Sequence, residues 1–488
     1  MKRMIPVFCL IFYYSVIPGQ TVLTLERALD FAKINSPAMK QSEITLSNSR
    51  QNLVAQKAGL KPQLNLIISP VTYQKSQRLD NRSGEVFINE SLTSTGIFTL
   101  SQDILPTGGN IYLRNTLRFQ DNYTSSEQAI DPTTQTWENN LSINFSQPIF
   151  TYNRIKVDLQ KMELAYEDAY LRYNLQKLAI EKTVTQLFYN LYALQMNLLI
   201  SKDELKNNQD NYAIVKNKVD GGLMALEELY QQEVNLATSE SNVYNQQASL
   251  DNAKDEFKIS IGFPINEDFD ILALVGTDTV NIDVNKAIDH ALANRMEIRQ
   301  RDIDIQNALF SLMESKTINE FAGEISAGLG IQNLTQNLVS NPTLSTPSVG
   351  LSLNIPIFDW GERKARIKSA EGGIQSSELN LESEKLDIII NIRRSVRNLT
   401  NLQNQIEIQN KSVKNAQLTY DINMERYKNG DLTSMDLGLF QTQLSTRKLA
   451  LTNAIINYKL ELLNMKIQAL FDFETNISIV PEAFTIDK

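Results

Sequence analysis

Apolar and polar residues alternate in two separate stretches of the chain. The first stretch covers 62–148 and includes LSINFS at Leu141–Ser146, and the second covers 322–356 and includes GLSLNI at Gly350–Ile355. Alternation with a period of two is typical of strands that have one apolar and one polar face. The pattern predicts about six strands, four in the first stretch and two in the second.

A helical period of 3.6 surrounds these stretches. Leu437, Phe440 and Leu444 belong to one apolar stripe of the kind that packs helices side by side as in coiled coils. In each half the sequence predicts an opening helix before the strands, a long helix after them, and a return helix beyond a sharp turn. The predicted ranges are 24–60, 149–219 and 223–260 in the first half, and 284–319, 357–428 and 432–470 in the second.

The two halves are predicted to be copies of one unit. Pro148 aligns with Pro356, and no gap is needed from there to Ile259, which aligns with Ile467. Such an internal repeat indicates a duplicated architecture. The predicted segments, in chain order, are a first copy at 20–265 with its hairpin turn at 220–223, a linker at 266–283, a second copy at 284–471 with its hairpin turn at 429–432, and a C-terminal tail at 472–488.

The lengths of the long helices limit how they pack. The spans from Pro148 to Gly222 and from Pro356 to Gly430 are equal, and a continuous helix over either would be roughly 110 Å long at 1.5 Å per residue. No compact domain of this size holds such a helix. The opening and return helices, laid end to end, match it, so we predict that each long helix packs beside a pseudo-continuous pair.

Pro148 and Pro356 mark the joints between the strands and the long helices. In QPIF, Gln147–Phe150, the period changes from two to 3.6 with no loop residues between. Proline is accepted in the first turn of a helix, because an N–H group there needs no helical partner. We therefore predict that each proline opens its long helix directly from the preceding strand.

The strands have the pattern of a transmembrane β-barrel, with apolar residues outside and polar residues inside. Arg114, Arg118 and Gln147 fall on the polar face, as they would in a water-filled lumen. A soluble sheet packed on one face is the alternative, but no helix has an unused apolar face to cover it. Because an open sheet edge is not tolerated in lipid, adjacent chains would have to complete the barrel. The predicted external loops are the polar stretches 75–94, 121–137 and 333–347.

Residues 1–19 have the features of a secretory signal peptide. Lys2 and Arg3 precede an apolar run at Ile5–Ile17 that is too short to span a bilayer. A buried N-terminal helix is the alternative. Cys9, the only cysteine, falls in this segment, so the exported chain would have neither disulfides nor cysteine–metal sites. With 47 Lys and Arg against 56 Asp and Glu, the chain is a poor candidate for nucleic-acid binding.

The duplication, the joints QPIF and IPIF, and the turn sequences VKNKVDGGLMALEELYQ and ERYKNGDLTSMDLGLFQ resemble the TolC-like outer-membrane efflux protein family. The likeness extends over essentially the whole exported chain. It implies an α+β membrane protein, in which a homotrimer forms a transmembrane β-barrel continuous with a long α-helical coiled-coil tunnel. The barrel would lie in the lipid of the bacterial outer membrane and the tunnel in the periplasm, with the linker and the tail in an equatorial collar.

The resemblance also implies a passive exit channel. It would connect a periplasmic adaptor (membrane fusion protein) and an inner-membrane transporter to the exterior, for small molecules in efflux or polypeptides in type I secretion. No enzyme activity, cofactor or metal is implied, and the chain has neither a phosphate-binding loop nor a nucleophile and base near a Gly-rich turn. The alternative is an exported coiled-coil scaffold or an adaptor without a pore, and a periplasmic hydrolase is a weaker one.

Strand number is the main departure from the family pattern. The usual family barrel has about four strands per protomer, whereas about six are predicted here. Either two strands are added to each protomer, which gives about eighteen in a trimer, or the extra hairpin lies outside the membrane. The sequence leaves both alternatives open.

By the resemblance, the two hairpin turns form the periplasmic entrance and contact the adaptor. The predicted contact residues are Gly221, Gly222, Leu223, Gly430, Asp431 and Leu432. Gly222 and Gly430 fall where the chain reverses, and glycine tolerates the left-handed conformation that such a helix end requires.

Three further residues near these turns are predicted to form the gate. Glu228 and Asp436 occupy equivalent positions just beyond the turns, and Tyr427 matches a family gating position. Leu432 and Leu439 stand where the family has a basic and an acidic residue, so the closing network must differ. Glu228 and Asp436 would form an acidic ring that favours cations, or they are ordinary acids at helix N-termini.

Overall fold

The computed structural model describes residues 21–79, 84, 86–125, 133–273, 276, 280–336, 339–340, 342–482 and 484–485. The predicted signal peptide at 1–19 lies outside the described residues. The chain divides into two compact units. Unit 1 contains the described parts of Met1–Ile44, Arg172–Met296 and Lys385–Lys488, and unit 2 contains those of Thr45–Leu171 and Glu297–Glu384.

Helices make up most of the described chain. The third and seventh have 67 and 68 residues, and the fourth and eighth have 36 residues each. The helices are α1 Leu25–Asn35, α2 Pro37–Gly59, α3 Arg154–Asp220, α4 Leu226–Ile261, α5 Val284–Asn294, α6 Met296–Thr317, α7 Glu362–Asn429 and α8 Ser434–Ala469.

Strands of two kinds accompany these helices in the described ranges. Six are long, and the others have two or three residues each. The strands are β1 Thr21–Leu23, β2 Gln63–Leu79, β3 Val86–Ile104, β4 Gly109–Ser125, β5 Thr133–Ile149, β6 Phe269–Ile271, β7 Ala322–Gln336, β8 Val339–Ser340, β9 Leu344–Asn354, β10 Phe471–Asp472 and β11 Ile477–Ser478. The long strands extend well into the stretches that were predicted to be external loops, so those loops are shorter than expected.

Both predicted opening helices are divided in two. Ser36 separates α1 from α2, and Arg295 separates α5 from α6. Pro37 explains the first break, because a proline ends the helix before it and can only begin the next one. At the second break Arg295 has an extended backbone, with ψ of 128°. No glycine or proline stands there, so the sequence offered no comparable indication of it.

The prediction that Pro148 and Pro356 open the long helices is wrong. Pro148 lies in β5, paired with Glu324, and Pro356 follows the end of β9. Pairing of β5 with β4 ends at Ser146. Pro148 therefore lies where the strand has a single neighbour, and a missing N–H is tolerated at such an edge.

Capping side chains, rather than prolines, begin the long helices. The Lys156 N–H donates to Asn153 Oδ1 at 3.0 Å at the start of α3. The Arg363 N–H donates to Asp359 Oδ2 at 3.0 Å at the start of α7. Asn153 immediately precedes α3, where Asn and Asp are favoured because their side-chain oxygens accept from first-turn N–H groups. Asp359 lies three residues before α7 and also accepts from the Gly361 N–H at 2.9 Å, so it fixes the turn that leads into the helix.

The six long strands form one antiparallel sheet in unit 2. Their order is β2, β3, β4, β5, β7, β9, and the two-residue β8 pairs with the end of β7. Pairing of β3 with β4 is uninterrupted from Ile88 opposite Ser125 to Ile104 opposite Gly109. The sequence left the place of the extra hairpin open. In the structure all four long strands of the first stretch, β2 to β5, are paired in one sheet with β7 and β9 of the second.

The register places apolar and polar residues on opposite faces of this sheet. One row on the first face crosses all six strands, namely Leu64, Leu100, Leu113, Ile143, Leu329 and Pro347. The neighbouring row, on the second face, is Asn65, Thr99, Arg114, Ser142, Gly330 and Thr346. Successive side chains of a strand point to opposite faces. No part of the chain that the structure describes covers the apolar face, and Ile143 and Leu329 are each 42% exposed.

A hydrophobic core of unit 1 lies around three aromatic rings. Phe257 is 6.3 Å from Phe188 and 5.7 Å from Phe269 between ring centroids, and all three side chains are buried. Phe269 belongs to β6, which pairs in parallel with β1. Gly262 ends α4 with φ of 75°, and a Cβ there would lie 2.3 Å from the Asn35 carbonyl oxygen, so only glycine fits.

Candidate functional site

The first hairpin turn, between α3 and α4, ends its helix with a Schellman motif. The Leu223 N–H donates to the Lys218 carbonyl at 2.8 Å, and the Gly222 N–H donates to the Val219 carbonyl at 2.9 Å. Gly222 has φ of 69°, in the left-handed region that this motif requires. Gly221 and Leu223 are exposed, and Leu223 has 80% of its surface uncovered.

The second hairpin turn, between α7 and α8, repeats this geometry. The Asp431 N–H donates to the Arg426 carbonyl at 2.9 Å, and the Gly430 N–H donates to the Tyr427 carbonyl at 3.1 Å. Gly430 has φ of 88°. Asp431 is exposed, whereas Leu432 is half-buried.

The two turns lie against each other in unit 1. Lys218 Nζ, from the last turn of α3, donates to the Lys428 carbonyl oxygen at 3.0 Å. The same ammonium lies 5.9 Å from the centre of the Tyr427 ring. Beneath this contact is one apolar cluster, whose buried members are Val215, Ala416, Tyr420, Tyr427, Leu437 and Leu444. The predicted contact residue Leu432 packs against this cluster.

Tyr427 is the most enclosed of the predicted gate residues, with none of its surface exposed. Its hydroxyl lies 3.2 Å from Ser434 Oγ, and Ser434 is buried as well. Burial raises the pKa of Tyr427, the hydrogen bond with Ser434 lowers it, and the charge of Glu228 raises it. The phenol therefore remains a neutral hydrogen-bonding group inside the packed turns.

Glu228 and Asp436 have different surroundings although their positions in the sequence are equivalent. Glu228 is half-buried, and its Oε2 is buried and makes no hydrogen bond. Asp436 is exposed and accepts from Thr433 Oγ1 at 2.8 Å, while its own N–H donates to Thr433 Oγ1 at 3.2 Å. Asp436 therefore belongs to a helix cap of the kind that an ordinary N-terminal acid forms. An unbonded buried oxygen, as in Glu228, is costly, and the adjacent helix N-terminus offsets part of that cost.

Three buried amide side chains in unit 1 were not predicted from the sequence. They are Asn211, Gln232 and Gln441, which are 3%, 2% and 4% exposed, and the hydroxyl of Tyr420 is buried near the turns as well. They lie at similar distances along their helices from the turns. Gln441 Nε2 donates to the Glu204 carbonyl at 3.3 Å, but Asn211 Oδ1, Gln232 Oε1 and the Tyr420 hydroxyl make no hydrogen bond. The available indication was amide side chains at positions where the apolar stripes should continue.

Among the described residues, no group of three or more His, Cys, Asp or Glu side chains is arranged to hold a metal ion. None of the helices in the described part of the chain is long and apolar enough to cross a membrane.

The family model of the outer membrane efflux proteins matches residues 28–262 and 287–465. Nodulation protein T of Rhizobium leguminosarum bv. trifolii is 24% identical over 66% of this chain and 69% of its own. Outer membrane protein TolC of Escherichia coli K12 is 23% identical over 67% of this chain and 68% of its own.

The fold also matches a solved outer membrane channel. The structure of the Campylobacter jejuni CmeC outer membrane channel aligns with 94% of this chain and 87% of its own, with a TM-score of 0.67 and 16% identity. The match confirms the α+β architecture of long helices and strands. With the family model matched over both halves, the chain belongs to the outer membrane efflux protein family.

Proposed function

We propose that this protein is an outer-membrane exit channel that passively conducts small molecules or polypeptides from the periplasmic side to the exterior. One observation carries the proposal. An apolar row crosses all six long strands on an uncovered sheet face, and the other face carries Arg114, Ser142 and Thr346. A sheet that is apolar on one side and polar on the other, with its apolar side uncovered, fits a barrel wall between lipid and water.

Aromatic side chains support this orientation of the sheet. Phe119 and Trp137, paired on β4 and β5, have ring centroids 4.7 Å apart towards one end of the apolar face. Phe150 and Phe321 are 5.3 Å apart at the other end, next to the start of β7. Aromatic rings gather at both membrane–water interfaces in proteins of this kind. The apolar rows between them would face the hydrocarbon.

A homotrimer is part of the proposal. Six strands are fewer than the eight of the smallest barrels, so one chain cannot close a barrel in lipid. Three copies would close it and would place their long helices in one periplasmic tunnel. The linker at 266–283 and the tail at 472–488 would form the equatorial collar. The equal lengths of α4 and α8, and the near-equal lengths of α3 and α7, support the proposed duplication.

The two hairpin turns are the proposed contact with a periplasmic adaptor, which would join the channel to an inner-membrane transporter. Leu223, Asp431 and Met435 are exposed at or beside these turns, and Met435 has 74% of its surface uncovered. The rigid Schellman ends would hold these side chains in place. In a trimer, Glu228 and Asp436 would contribute to an acidic ring at the entrance, with Tyr427 packed behind it.

Reconstitution tests the proposed channel. Detergent-extracted protein in planar bilayers should give discrete conductance steps, and its gel migration should change on heating. Ile143 and Ser142 provide a matched pair, because they are neighbours on opposite faces of β5. Ile143→Arg should destabilise the inserted protein by about 2–4 kcal/mol, since a charge would face lipid, whereas Ser142→Arg should be tolerated.

The alternative class, an exported coiled-coil scaffold or adaptor without a pore, predicts a different result. Such a protein would be extracted without detergent and would give no conductance steps. It would also tolerate Ile143→Arg and Ser142→Arg equally. Equal tolerance together with aqueous extraction would contradict the proposed channel.

A further inference from the structure

The two outermost strands of the sheet have free edges. Among the described residues, β2 pairs only with β3, and β9 pairs only with β7. Every residue of β2 is exposed, and all residues of β9 but one are exposed. Strands in the middle of the sheet are largely half-covered. An unpaired strand edge in hydrocarbon leaves N–H and C=O groups without partners, which strongly disfavours an open edge in lipid.

The continuity of the faces shows which strands belong in the membrane. A hairpin outside the bilayer would have no reason to extend the apolar face. Here Leu64 and Leu100 continue the row that runs through Leu113 and Ile143, with no change of face between β2 and β5. The next row starts with Leu66 opposite Phe98, again on the apolar side. The first two long strands therefore carry the same lipid-facing pattern as the last four.

The directions of the edge strands are compatible with pairing between copies. Each long strand is antiparallel to its neighbour in the sheet, and the number of long strands is even. Consequently β2 and β9 run in opposite directions. When a second copy is placed beside the first, its β2 can extend the β9 edge as another antiparallel pair. The alternation of directions is then preserved around the whole barrel.

We propose that β9 of each copy pairs with β2 of the next, so that three copies close an eighteen-stranded barrel; this inference rests on the proposed trimeric channel. The partner of each free edge is a second copy of this chain. Barrel diameter grows roughly in proportion to strand number. The bore would be about one and a half times as wide as that of a twelve-stranded barrel, in the range where porins leave an open aqueous channel.

Disulfide trapping tests which strands meet between copies. In a chain with Cys9→Ser, one engineered cysteine is placed on β2 at Leu64, Leu66 or Ile68. A second is placed on β9 at Val349 or Leu351. The scan is needed because the register between copies is not fixed by one copy, and all these positions are on the apolar face. The comparison series combines the same β9 positions with cysteines on β4 at Leu113 or Leu117.

After oxidation, the β2–β9 series should contain pairs that give covalent dimers and trimers, with no larger species. The trimer yield should be at least about tenfold above that of the β4–β9 series, because cysteines several strands apart cannot reach each other. Conductance of each reduced variant checks that the channel is assembled.

The possible negative results distinguish a wrong strand pairing from a wrong channel function. Crosslinks from β4 to β9 but not from β2 would mean that β2 and β3 lie outside a twelve-stranded barrel. Conducting variants without crosslinks in either series would also overturn the proposed pairing while leaving the channel intact. Absence of both trimers and conductance in the parent chain would instead contradict the proposed function.

Discussion

The hydroxyl of Tyr427 lies 3.2 Å from Ser434 Oγ, and both residues are buried. This bond joins the last turn of α7 to the first turn of α8 across the hairpin. It lies in the apolar cluster that packs the two turns together. The turns are thus fixed by a specific polar contact as well as by apolar packing.

Tyr427→Phe should lower the stability of the packed turns by about 1 kcal/mol, because it leaves Ser434 without a partner in a buried setting. Ser434→Ala should cost a similar amount, and the double variant should cost less than the sum of the two. Thermal loss of helical circular dichroism measures all three. Tyr212→Phe, which removes an exposed 3.4 Å bond to Glu233, is the control. Additive losses would show that the two hydroxyls do not interact.

Alkaline pH should lower the folding stability of unit 1, because Tyr420 is buried there. Burial raises the pKa of Tyr420 to about 12 from 10.0, and the charges of Asp421 and Asp210 act in the same direction. The phenol ionises in the unfolded chain at lower pH than in the folded protein. Its contribution is therefore complete below about pH 10 and is lost as the pH rises towards 12, by about 2 kcal/mol.

Tyr420→Phe should flatten this alkaline loss of stability. Circular dichroism melts between pH 9 and about 12 measure the slope. Tyr244→Phe removes a phenol that is 75% exposed and serves as the control. An unchanged slope in Tyr420→Phe would exclude this residue as the source of the pH dependence.

The turn glycines should resist substitution for conformational reasons. Gly222→Ala and Gly430→Ala place a side chain at φ of 69° and 88°, although a Cβ would meet no neighbouring atom in either case. We expect a loss of about 1 kcal/mol for each. Gly438→Ala, in the interior of α8 and facing open space, should raise stability by up to about 1 kcal/mol. Equal effects of all three in thermal melts would argue against a backbone origin.

Gln232 should be replaceable by an apolar residue without loss of stability. Its Oε1 is buried and makes no hydrogen bond. Gln232→Leu removes this cost and should raise the melting temperature, by the equivalent of about 1 kcal/mol. Gln441→Leu is the matched comparison, because Gln441 donates to the Glu204 carbonyl and its loss should destabilise. The opposite order of melting temperatures would contradict this account of the buried amides.

Asp436→Asn tests the proposed acidic ring. If three copies of Asp436 face the entrance, the substitution removes charge there and should reduce the preference for cations in single-channel recordings. The Thr433 hydrogen bonds can be retained by Asn, so the helix cap is preserved. Asp431→Asn, an exposed acid at the same turn, is the control. Unchanged selectivity and conductance in Asp436→Asn would exclude the ring.

The sequence predicted local structure well wherever the period of apolar residues decides it. The six alternating runs are strands, and the positive-φ glycines 222 and 430 are at the helix ends where a reversal was predicted. The α+β fold class and the family are confirmed by the comparisons. These features depend on neighbours along the chain, which a single sequence displays directly.

Other features depend on partners far away in the chain, and the sequence did not predict them. The sequence predicts that Pro148 opens a helix. A proline is tolerated in β5 only because β4 stops pairing with it at Ser146, and the end of a neighbouring strand is not visible in the local sequence. The break at Arg295 has no glycine or proline to mark it. The buried position of Gln232 follows from the packing of other helices around it, and polarity alone indicated an exposed residue.

The contact between Lys218 and the Lys428 carbonyl has a consequence for how such a chain can change in evolution. A heptad inserted into α3 alone would carry Lys218 about 10 Å past its acceptor and would separate the two turns. An equal insertion in α7 would restore the contact. The length of α3 can therefore change only together with an equal change in α7. Related chains whose long helices differ in length should differ by equal insertions or deletions in both halves.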